Sequence, residues 1–596
     1  MLVYGDPKFE GSLQPLRARL QRLAEHALDY PHDLDRLRAL LILCGQLEQG
    51  AQDLAAQPQH ADEAIPWTGQ LQLATTCAAE AFYSAAYRQP MGLPAPRVES
   101  GVALGALLRT LEDLRSAPDL RLTVKVPEGF GIYALYPEQY MVAAAHWAAD
   151  HRPQRGQGVV VVGIRSIGTT LAAVVSAALR AHGWQVQSFT VRPAGHPYDR
   201  RVDISPGQIG LAAFGLIVDE GPGISGSSMA ATAGALVKAG LERRNIAFLP
   251  GHRHGPGGAG ADEVQTWWRT TPCYVAETKH LSFAGRPLQE ALASMLPRPV
   301  VHMEDFSGGQ WRQAVYPDAS RWPALCTAFE RIKYRYTLQD GKRVLVKFLG
   351  LAGISSELAS GAEAAATLLR QRAAQGLGAP VIGVGVGFVA TEWVEGVPME
   401  PGALPPERID ALGAYIAHVA GPPMPHDERR HAAERLTEML YANTCEAFGK
   451  EAAQRAQCYA DAIISPAHTY GDGHMQPYEW IDCGGHRLVK VDSVGHDCDH
   501  TLIGRQPVAW DVAGAVVEWG LDGKAGARLL KAFSAAGGAV DPGTLDFYRA
   551  AYLAFRLGQC SLAAQVHDPG ERARLMYAAA HYRHLLAKCL DSMLAA

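Results

Sequence analysis

Two adjacent carboxylates, Asp219 and Glu220, stand directly after the apolar run Phe214–Val218 and before a loop rich in glycine and serine. The small residues of that loop are Gly223, Ser225, Gly226, Ser227 and Ser228. Glycines let the backbone approach a ligand closely, and the positive end of a following helix favours an anion, so this loop suits a phosphate group. Carboxylates would repel that phosphate directly. We therefore expect them to hold sugar hydroxyls, or a Mg²⁺ ion that does so.

A second strand–loop–helix pattern lies upstream, where the apolar run Val159–Val162 leads into Gly163–Thr170. Its candidate anion ligands are Arg165, Ser166, Gly168 and Thr169. A third segment, Arg192–Arg201, contains three arginines and a histidine. Each feature alone is more often a tight turn, a solvated sheet edge or a charged surface. Their order, each after a predicted strand, favours one anion-binding site, because ligands of parallel sheets sit at the carboxyl ends of the strands.

This arrangement resembles the phosphoribosyl-pyrophosphate motif of type I phosphoribosyltransferases: an apolar strand, two acids, a short loop and a hydroxyl-rich turn. The resemblance implies phosphoribosyl pyrophosphate as co-substrate, with Arg165 and its loop on the leaving pyrophosphate and Arg192–Arg201 as a closing loop. Here four residues, Gly221–Ile224, separate the acids from Ser225, where the family has three. The same fold also serves as a ligand sensor, and hydrolysis or phosphorolysis of ribosyl compounds is a further alternative.

A different chemistry is indicated in the second half of the chain. Lys347 lies in the otherwise apolar run Val344–Phe348, and burying a lysine is costly unless it meets an anion or extends to the surface. Downstream, Tyr470–Glu479 contains Asp472 in a glycine-flanked loop, and Arg487–Gly495 contains Asp492.

These segments resemble the aminoglycoside-phosphotransferase and choline-kinase branch of the protein-kinase-like fold. The resemblance implies ATP and Mg²⁺, with Lys347 on the α- and β-phosphates and paired with Glu363, and with Mg²⁺ bound by Asp492. Asp472 would orient or deprotonate the acceptor hydroxyl.

Two positions depart from that branch. Tyr470 stands where it has histidine, and Pro477 where it has a metal-binding asparagine, for which Gln476 is a substitute candidate. These changes leave open one metal ion, a repositioned ion or a domain without turnover.

The elements that position these residues predict an α/β protein. Strands and helices alternate after residue 119, beginning with a predicted strand over Leu120–Val126, which favours a doubly wound parallel sheet. A hairpin is followed by a predicted helix over Ser356–Ala374, a strand over Val381–Thr391 and a connector between two lobes at Thr391–Met399. With the mostly helical sequence that follows, this order favours a C-terminal α+β kinase-like two-lobed domain. The predicted divisions are a helical N-terminal region over residues 1–118, a phosphoribosyltransferase-like domain over 119–296, a linker over 297–325 and a small-molecule-kinase-like domain over 326–596.

Composition restricts the partners. The net charge of −5 gives no overall attraction to nucleic acid, and the ten scattered cysteines form no C-x-x-C pair, which suits a reducing cytoplasm. No apolar run approaches the ~20 residues of a membrane span. We expect a cytoplasmic protein with small-molecule substrates and no nucleic-acid or membrane partner; a homo-oligomer stays open. The leading hypothesis is a bifunctional transferase, and the alternative is a regulatory protein that binds sugar phosphate and nucleotide without turnover.

Overall fold

The structure is a computed structural model and describes residues 1–5, 7–153, 157–223, 225–257, 260–352, 361–402, 404–457, 469–485, 487–496, 501–521, 523–565 and 568–595. These residues form a mixed α/β protein whose strands make five sheets. Among its helices, none is both long and apolar enough to cross a membrane.

The N-terminal region is a group of helices flanked by a strand pair. Its elements are β1 (Lys8–Ser12), α1 (Leu13–Asp29), α2 (Leu34–Ala55), α3 (Ala61–Ala86), α4 (Ser100–Asp113), β2 (Arg121–Lys125) and α5 (Glu128–Gly131). The carboxylate of Asp33 caps α2 by accepting the N–H of Arg36 at 3.1 Å. The strand predicted near residue 120 is β2, but it pairs antiparallel with β1 and is separate from the parallel sheet.

The next part of the chain alternates strands and helices. Its elements are α6 (Pro137–Asp150), β3 (Gly158–Ile164), α7 (Ile167–Ala181), β4 (Gln185–Val191), β5 (Ala194–His196), β6 (Asp199–Arg201), α8 (Pro206–Ile209), β7 (Ala212–Val218), α9 (Ser227–Ala239), β8 (Ile246–Leu249), α10 (Asp262–Thr270) and α11 (Leu288–Ala293). Strands β4, β3, β7 and β8 form a parallel sheet in that order, as the alternation predicts.

Both faces of this sheet are covered, and its central strand β3 is apolar on both sides. Val159 and Val161 of β3 point into one core with the N-terminal helices, whereas Val160 and Val162 point into a second core with α9 and α10. Helices α2 and α3 pack on α7, and a Cβ on Gly45 of α2 would lie only 2.1 Å from the hydroxyl of Thr170. The N-terminal helices therefore lie against the sheet beside its loops.

A second, antiparallel sheet follows. Its elements and neighbours are β9 (Val300–Asp305), α12 (Trp311–Val315), β10 (Lys333–Leu338), β11 (Arg343–Phe348), α13 (Gly361–Ala374), β12 (Val381–Gly385) and β13 (Phe388–Glu392). The strand order is β12-β13-β11-β10-β9, and the predicted hairpin is β10–β11.

Two predictions for this part of the chain differ from the observed strands. The segment 297–325, expected as a linker, contains β9, which pairs with β10. The segment Val381–Thr391, expected as one strand, turns at Val386 and Gly387, which both have positive φ. The predicted helix start at Ser356 lies outside the described residues.

The remainder is mainly helical. Its elements are β14 (Val397–Pro398), α14 (Pro406–Val419), α15 (His426–Phe448), α16 (Lys450–Gln457), β15 (Trp480–Asp482), β16 (Leu488–Lys490), α17 (Val508–Glu518), α18 (Gly523–Ala535), α19 (Pro542–Ala563) and α20 (Pro569–Ala595). The three strands form a small antiparallel sheet that supports the loops before and after it.

The two halves of the chain are joined through shared packing. One core includes the N-terminal helices, the parallel sheet and residues such as Val346 and Phe388 of the antiparallel sheet. The hydroxyl of Tyr136 donates to the Val386 carbonyl at 2.7 Å, at the β12–β13 turn.

The first residues of the chain also lie within the second half. The N–H of Leu2 donates to Asn443 Oδ1 at 2.5 Å, the Val3 carbonyl accepts the N–H of Leu502, and Val3 is buried among the C-terminal helices.

Candidate active sites

The first candidate site is formed where two parallel strands end side by side. Gly163 of β3 is paired with Val218 of β7, so the loops that follow both strands lie at one sheet edge. The chain runs from β3 to β4 on one side and reaches β7 on the other, which makes this edge a topological switch point. Ligands of open parallel sheets bind in such crevices.

The loop after β3 needs glycine at two positions. A Cβ on Gly163 would lie 2.1 Å from the carbonyl oxygen of Gly168, and a Cβ on Gly168 would lie 2.7 Å from that of Val218. Ser166 precedes the first turn of α7 and is half-buried, while Thr169 in that turn is buried. The Thr169 hydroxyl has no hydrogen-bond partner among the described residues, so it is available to a ligand at the helix N-terminus.

The predicted pyrophosphate ligand Arg165 is held by an acid from the N-terminal helices. Its guanidinium lies 3.3 Å from Asp53 Oδ1, and Arg192 donates to the same carboxylate from Nε at 2.7 Å. Asp53 therefore fixes two of the arginines that the sequence assigns to this site. This contact was not predicted, because α2 precedes the strand–helix alternation and carries no motif.

The loop after β7 is closed by its neighbours. Gly226 has φ +65°, and its carbonyl accepts the indole N–H of Trp268 at 3.0 Å. The hydroxyls of Ser225 and Ser227 both donate to the carbonyl of Pro197, at 2.7 and 2.6 Å. Ser228 is half-buried and Gly223, with φ +59°, is exposed.

Pro197 belongs to the hairpin β5–β6, which corresponds to the arginine-rich segment predicted to close over the site. The hairpin and the serine loop are thus already in contact, and two of the predicted phosphate-binding hydroxyls are bonded to it.

The two acids are half-buried and face different partners. Glu220 Oε2 accepts the N–H of Gly129 at 2.9 Å, and the Asp219 carbonyl accepts the hydroxyl of Tyr140 at 2.7 Å. The structure thus brings the acids, both glycine loops and two helix N-termini to one edge. Hydroxyl, carboxylate and backbone N–H groups in this arrangement suit a sugar phosphate with a divalent ion.

Turn α5, which holds Glu220, also touches the second half of the chain. The carbonyl of Gly131 accepts a hydrogen bond from Arg331, whose other terminal nitrogen donates to the Gly495 carbonyl at 2.7 Å. The N–H of Leu351 donates to the Phe130 carbonyl at 3.0 Å. One short turn therefore connects the first candidate site with the loop that follows Asp492.

The second candidate site is a cleft of about 280 Å³ between the antiparallel sheet and the helical part. One wall comes from Leu345, Ala379 and the connector Thr391–Val394, and the opposite wall from Ile481 and Val491. These side chains supply apolar surface on both walls, which suits a flat ring. The connector was predicted from the sequence to join two lobes.

Lys347 and Asp492 meet in this cleft. The Lys347 ammonium lies 2.6 Å from each Asp492 carboxylate oxygen. Burial lowers the pKa of Lys347 despite its partner. Burial would raise the pKa of Asp492, but the Lys347 ammonium holds it well below its ordinary value. Glu363 is exposed in the first turn of α13, so its predicted pairing with Lys347 stays a prediction.

Asp472 is enclosed rather than open to the cleft. Its side chain has no exposed surface, and its oxygens accept from the Tyr415 hydroxyl at 2.6 Å and the Lys490 ammonium at 2.7 Å. Burial alone would raise the pKa of Asp472, but Lys490 holds it below the ordinary value. Asp511 accepts the N–H groups of Asp472 and Gly473, which fixes the loop; burial and then Asp472 raise the pKa of Asp511 to about 7.

Further charged groups around Asp472 were missed by the sequence analysis. Glu479 lies 3.2 Å from the Lys490 ammonium, and His496 Nε2 lies 3.6 Å from Asp472 Oδ1. Lys490 is as unusual in its apolar strand as Lys347, and the same argument would have singled it out. Gln476 is buried and lines the cleft, and its Oε1 has no hydrogen-bond partner among the described residues.

The two departures from the kinase-like pattern have structural roles. The hydroxyl of Tyr470 donates to Glu428, and the guanidinium of Arg505 lies 3.7 Å from the centre of its ring. Pro477 begins the short turn Pro477–Glu479, which carries Glu479 beside Lys490.

No protein-family model and no curated protein matches this chain. Solved structures are similar to about half of it. Choline kinase LicA from Streptococcus pneumoniae has 13% identity over 50% of this chain and 98% of its own, with a TM-score of 0.33. Macrolide 2'-phosphotransferase MphH from Brachybacterium faecium has 14% identity over 42% and 87%, with a TM-score of 0.31.

A putative fructosamine-3-kinase from Thermobifida fusca has 17% identity over 52% and 99%, with a TM-score of 0.30. Likenesses with TM-scores this low do not assign a fold or function to this chain. The assignments below rest on the contacts just described.

Proposed function

We propose that the second half of the chain transfers a phosphoryl group from ATP to a small hydroxyl compound. The observation that carries this proposal is the Lys347–Asp492 pair, with both nitrogen–oxygen distances at 2.6 Å. Both residues line the cleft, together with the connector Thr391–Val394. A lysine and an acid brought together from a strand and a distant loop can hold the phosphates and the metal ion of a nucleotide.

The residues near this pair fit Mg²⁺. Mg²⁺ prefers oxygen ligands, and the Asp492 carboxylate and the unpartnered, buried Oε1 of Gln476 both line the cleft. Bound there, the ion would neutralise charge on the transferring phosphoryl group. Lys347 would release Asp492 to the metal and turn its ammonium to the α- and β-phosphates.

Asp472 is the proposed group that orients or deprotonates the acceptor hydroxyl. Lys490 keeps its carboxylate ionised, which a base requires. Because the Asp472 side chain has no exposed surface, the acceptor reaches it only after covering side chains move. This enclosure also limits the reaction with water.

The test is phosphoryl transfer from radiolabelled ATP to a panel of amino alcohols, amino sugars and simple sugars, with Mg²⁺. Asp492→Asn should remove nucleotide binding and turnover, while Asp472→Asn should remove turnover and keep nucleotide binding nearly intact. Asp410→Asn, a surface change on α14, is the matched control. Equal turnover in Asp472→Asn, or no Mg²⁺-dependent ATP binding by the wild type, would contradict the proposal.

For the first site we propose phosphoribosyl transfer from phosphoribosyl pyrophosphate. The specific support is that two glycine loops, two helix N-termini and the pair Asp219–Glu220 meet at the β3–β7 edge. Displacement of pyrophosphate at an anomeric carbon needs positioning and charge neutralisation more than a protein nucleophile. The loop Gly163–Thr170 would hold pyrophosphate, and Asp219 and Glu220 the ribose hydroxyls with Mg²⁺.

Pyrophosphate release tests this assignment. Release that requires an added acceptor and disappears in Asp219→Asn supports transfer, whereas release without acceptor indicates hydrolysis. Thermal shifts with phosphoribosyl pyrophosphate and with ATP, each with Mg²⁺, separate the two sites. Asp219→Asn should remove only the first response and Asp492→Asn only the second.

A regulatory protein without turnover is the alternative function, because Pro477 replaces the asparagine expected at a metal site. Binding of both ligands with no phosphoryl transfer and no pyrophosphate release would favour it. In either case we propose small molecules as the partners of both sites.

A further inference from the structure

We propose that His474, Glu479 and His496 form a binding site for one divalent transition-metal ion beside the proposed Mg²⁺ position at Asp492, whose Oδ1 lies 3.9 Å from His496 Nε2. Their ligand atoms lie within 4.8 Å of one another, and all three residues line the same cleft. This site is independent of the proposed phosphoryl transfer, because it is inferred from the donor atoms alone.

The backbone brings the two imidazoles together in the same way on both loops. Each histidine follows a glycine with left-handed φ: +98° at Gly473 and +90° at Gly495. The rings of His474 and His496 stack with their centres 3.9 Å apart and their planes 21° apart. Asp511 holds the Gly473 N–H and Arg331 holds the Gly495 carbonyl, so both turns are fixed by buried partners.

Glu479 is positioned by the chain as the third donor. Its carbonyl accepts the N–H of Val491 at 2.8 Å, which ties its short turn to the strand that leads to Asp492. Its two carboxylate oxygens face different groups: Oε2 lies 3.2 Å from Lys490, and Oε1 lies 3.4 Å from His474 Nδ1. Lys490 therefore offsets part of the negative charge of Glu479, while Oε1 of Glu479 faces the histidines.

The donor set selects the class of metal. Mg²⁺ and Ca²⁺ prefer oxygen ligands, whereas two imidazoles with one carboxylate suit Zn²⁺, Fe²⁺, Co²⁺ or Mn²⁺ and leave coordination positions open.

The test uses the full chain, freed of metal with a chelator, without nucleotide. Calorimetric titration with Zn²⁺ should give one equivalent bound, and Co²⁺ should give the visible absorption of a nitrogen-ligated ion. His474→Ala, Glu479→Gln and His496→Ala should each weaken binding by at least about tenfold, as loss of groups around a metal does. Millimolar Mg²⁺ should not compete.

A second histidine pair provides the matched control. His252 and His254 have ring centres 5.7 Å apart in the loop after β8, and His252→Ala with His254→Ala should leave the stoichiometry unchanged. Because an alanine variant can misfold, His474→Gln, which keeps a hydrogen-bonding group beside Glu479, is tested alongside, and thermal unfolding of the metal-free variants is compared.

The outcomes separate this proposal from the kinase function. The metal site is overturned if the protein binds no Zn²⁺ more tightly than it binds Mg²⁺. It is also overturned if Zn²⁺ binding survives in the His474→Ala/His496→Ala double variant. Mg²⁺–ATP binding is measured on the same preparation. Zn²⁺ binding without Mg²⁺–ATP binding would support the metal site and contradict the proposed phosphoryl transfer. Mg²⁺–ATP binding without Zn²⁺ binding would contradict the metal site and leave the proposed phosphoryl transfer in place.

Discussion

Lys490 and Asp472 form an ion pair in which neither side chain has any exposed surface, with the ammonium 2.7 Å from Oδ1. Glu479 lies 3.2 Å from the same ammonium, so one buried lysine links two buried acids. Burial would lower the pKa of Lys490, but Asp472 and then Glu479 raise it above the ordinary value. The proposed base Asp472 is therefore held in place and kept ionised by a residue to which the sequence motifs gave no role.

Replacing Lys490 with methionine should strongly destabilise the protein, because it leaves Asp472 and Glu479 buried without their cation. Removing one partner of a buried ion pair costs about 3–5 kcal/mol. The free energy of unfolding in urea measures the loss. The double variant Lys490→Met/Asp472→Asn should recover part of it, and Arg528→Met on the exposed pair with Asp410 should change little. A Lys490→Met protein as stable as the wild type would show that the pair is not energetically important.

The raised pKa of Asp511 predicts how the stability of the protein depends on pH. Its pKa in the folded protein is about 7, above the ordinary value of 3.8, because of burial and the nearby Asp472. A raised carboxyl pKa means that the folded state holds the proton more tightly than the unfolded chain. The stabilisation of the folded state by protonated Asp511 is fully present below about pH 4 and is lost as the pH rises towards about 7.

The variant Asp511→Asn lacks this titration but also loses an acceptor for the N–H groups of residues 472 and 473. It should be less stable than the wild type at pH 4, and the difference between them should shrink between pH 4 and 7. Urea unfolding at several pH values measures this difference. A difference that stays constant across the range would contradict the raised pKa.

Lys347→Met should weaken Mg²⁺–ATP binding by about 10- to 150-fold, because a hydrogen bond to a charged group contributes about 1.5–3 kcal/mol. Calorimetry with a non-hydrolysable ATP analogue measures the dissociation constant. Lys342→Met, an exposed change in the turn of the same hairpin, is the control. Unchanged affinity in Lys347→Met would place the nucleotide elsewhere.

Gly168→Ala should disturb the first candidate site, since its Cβ would lie 2.7 Å from the carbonyl of Val218. Such overpacking costs about 1–3 kcal/mol. The thermal shift produced by phosphoribosyl pyrophosphate should be lost as well. Gly234→Ala in α9, where a Cβ meets nothing within 4 Å, should instead stabilise by about 0.5–1 kcal/mol. Full ligand response in Gly168→Ala would exclude this loop from the site.

The central strands β3 and β7 of the parallel sheet were predictable because each contains an apolar run. The hairpin β10–β11 was predictable from its turn and from the lysine in its second strand. Strand β9 was not, because most of its side chains are exposed at the sheet edge and show no apolar alternation. The pairing of β1 with β2 joins segments more than 100 residues apart, which no local pattern reveals.

The sequence motifs singled out candidate residues but not the groups that surround them. The sequence motifs indicated Lys347, Asp472 and Asp492, and two of these meet directly. That Asp472 is enclosed depends on Tyr415 and Lys490, which lie in other elements. The partner of Arg165, Asp53, comes from a helix that precedes the whole motif region.

The contacts of the first residues have a consequence for synthesis. Leu2 bonds to Asn443, Val3 to Leu502, and Tyr4 donates to the Gln559 carbonyl at 3.2 Å while lining the cleft that contains Lys347. On the ribosome these residues emerge hundreds of residues before their partners. The cleft is therefore completed only after these partners have been synthesised and residues 2–4 have packed against them.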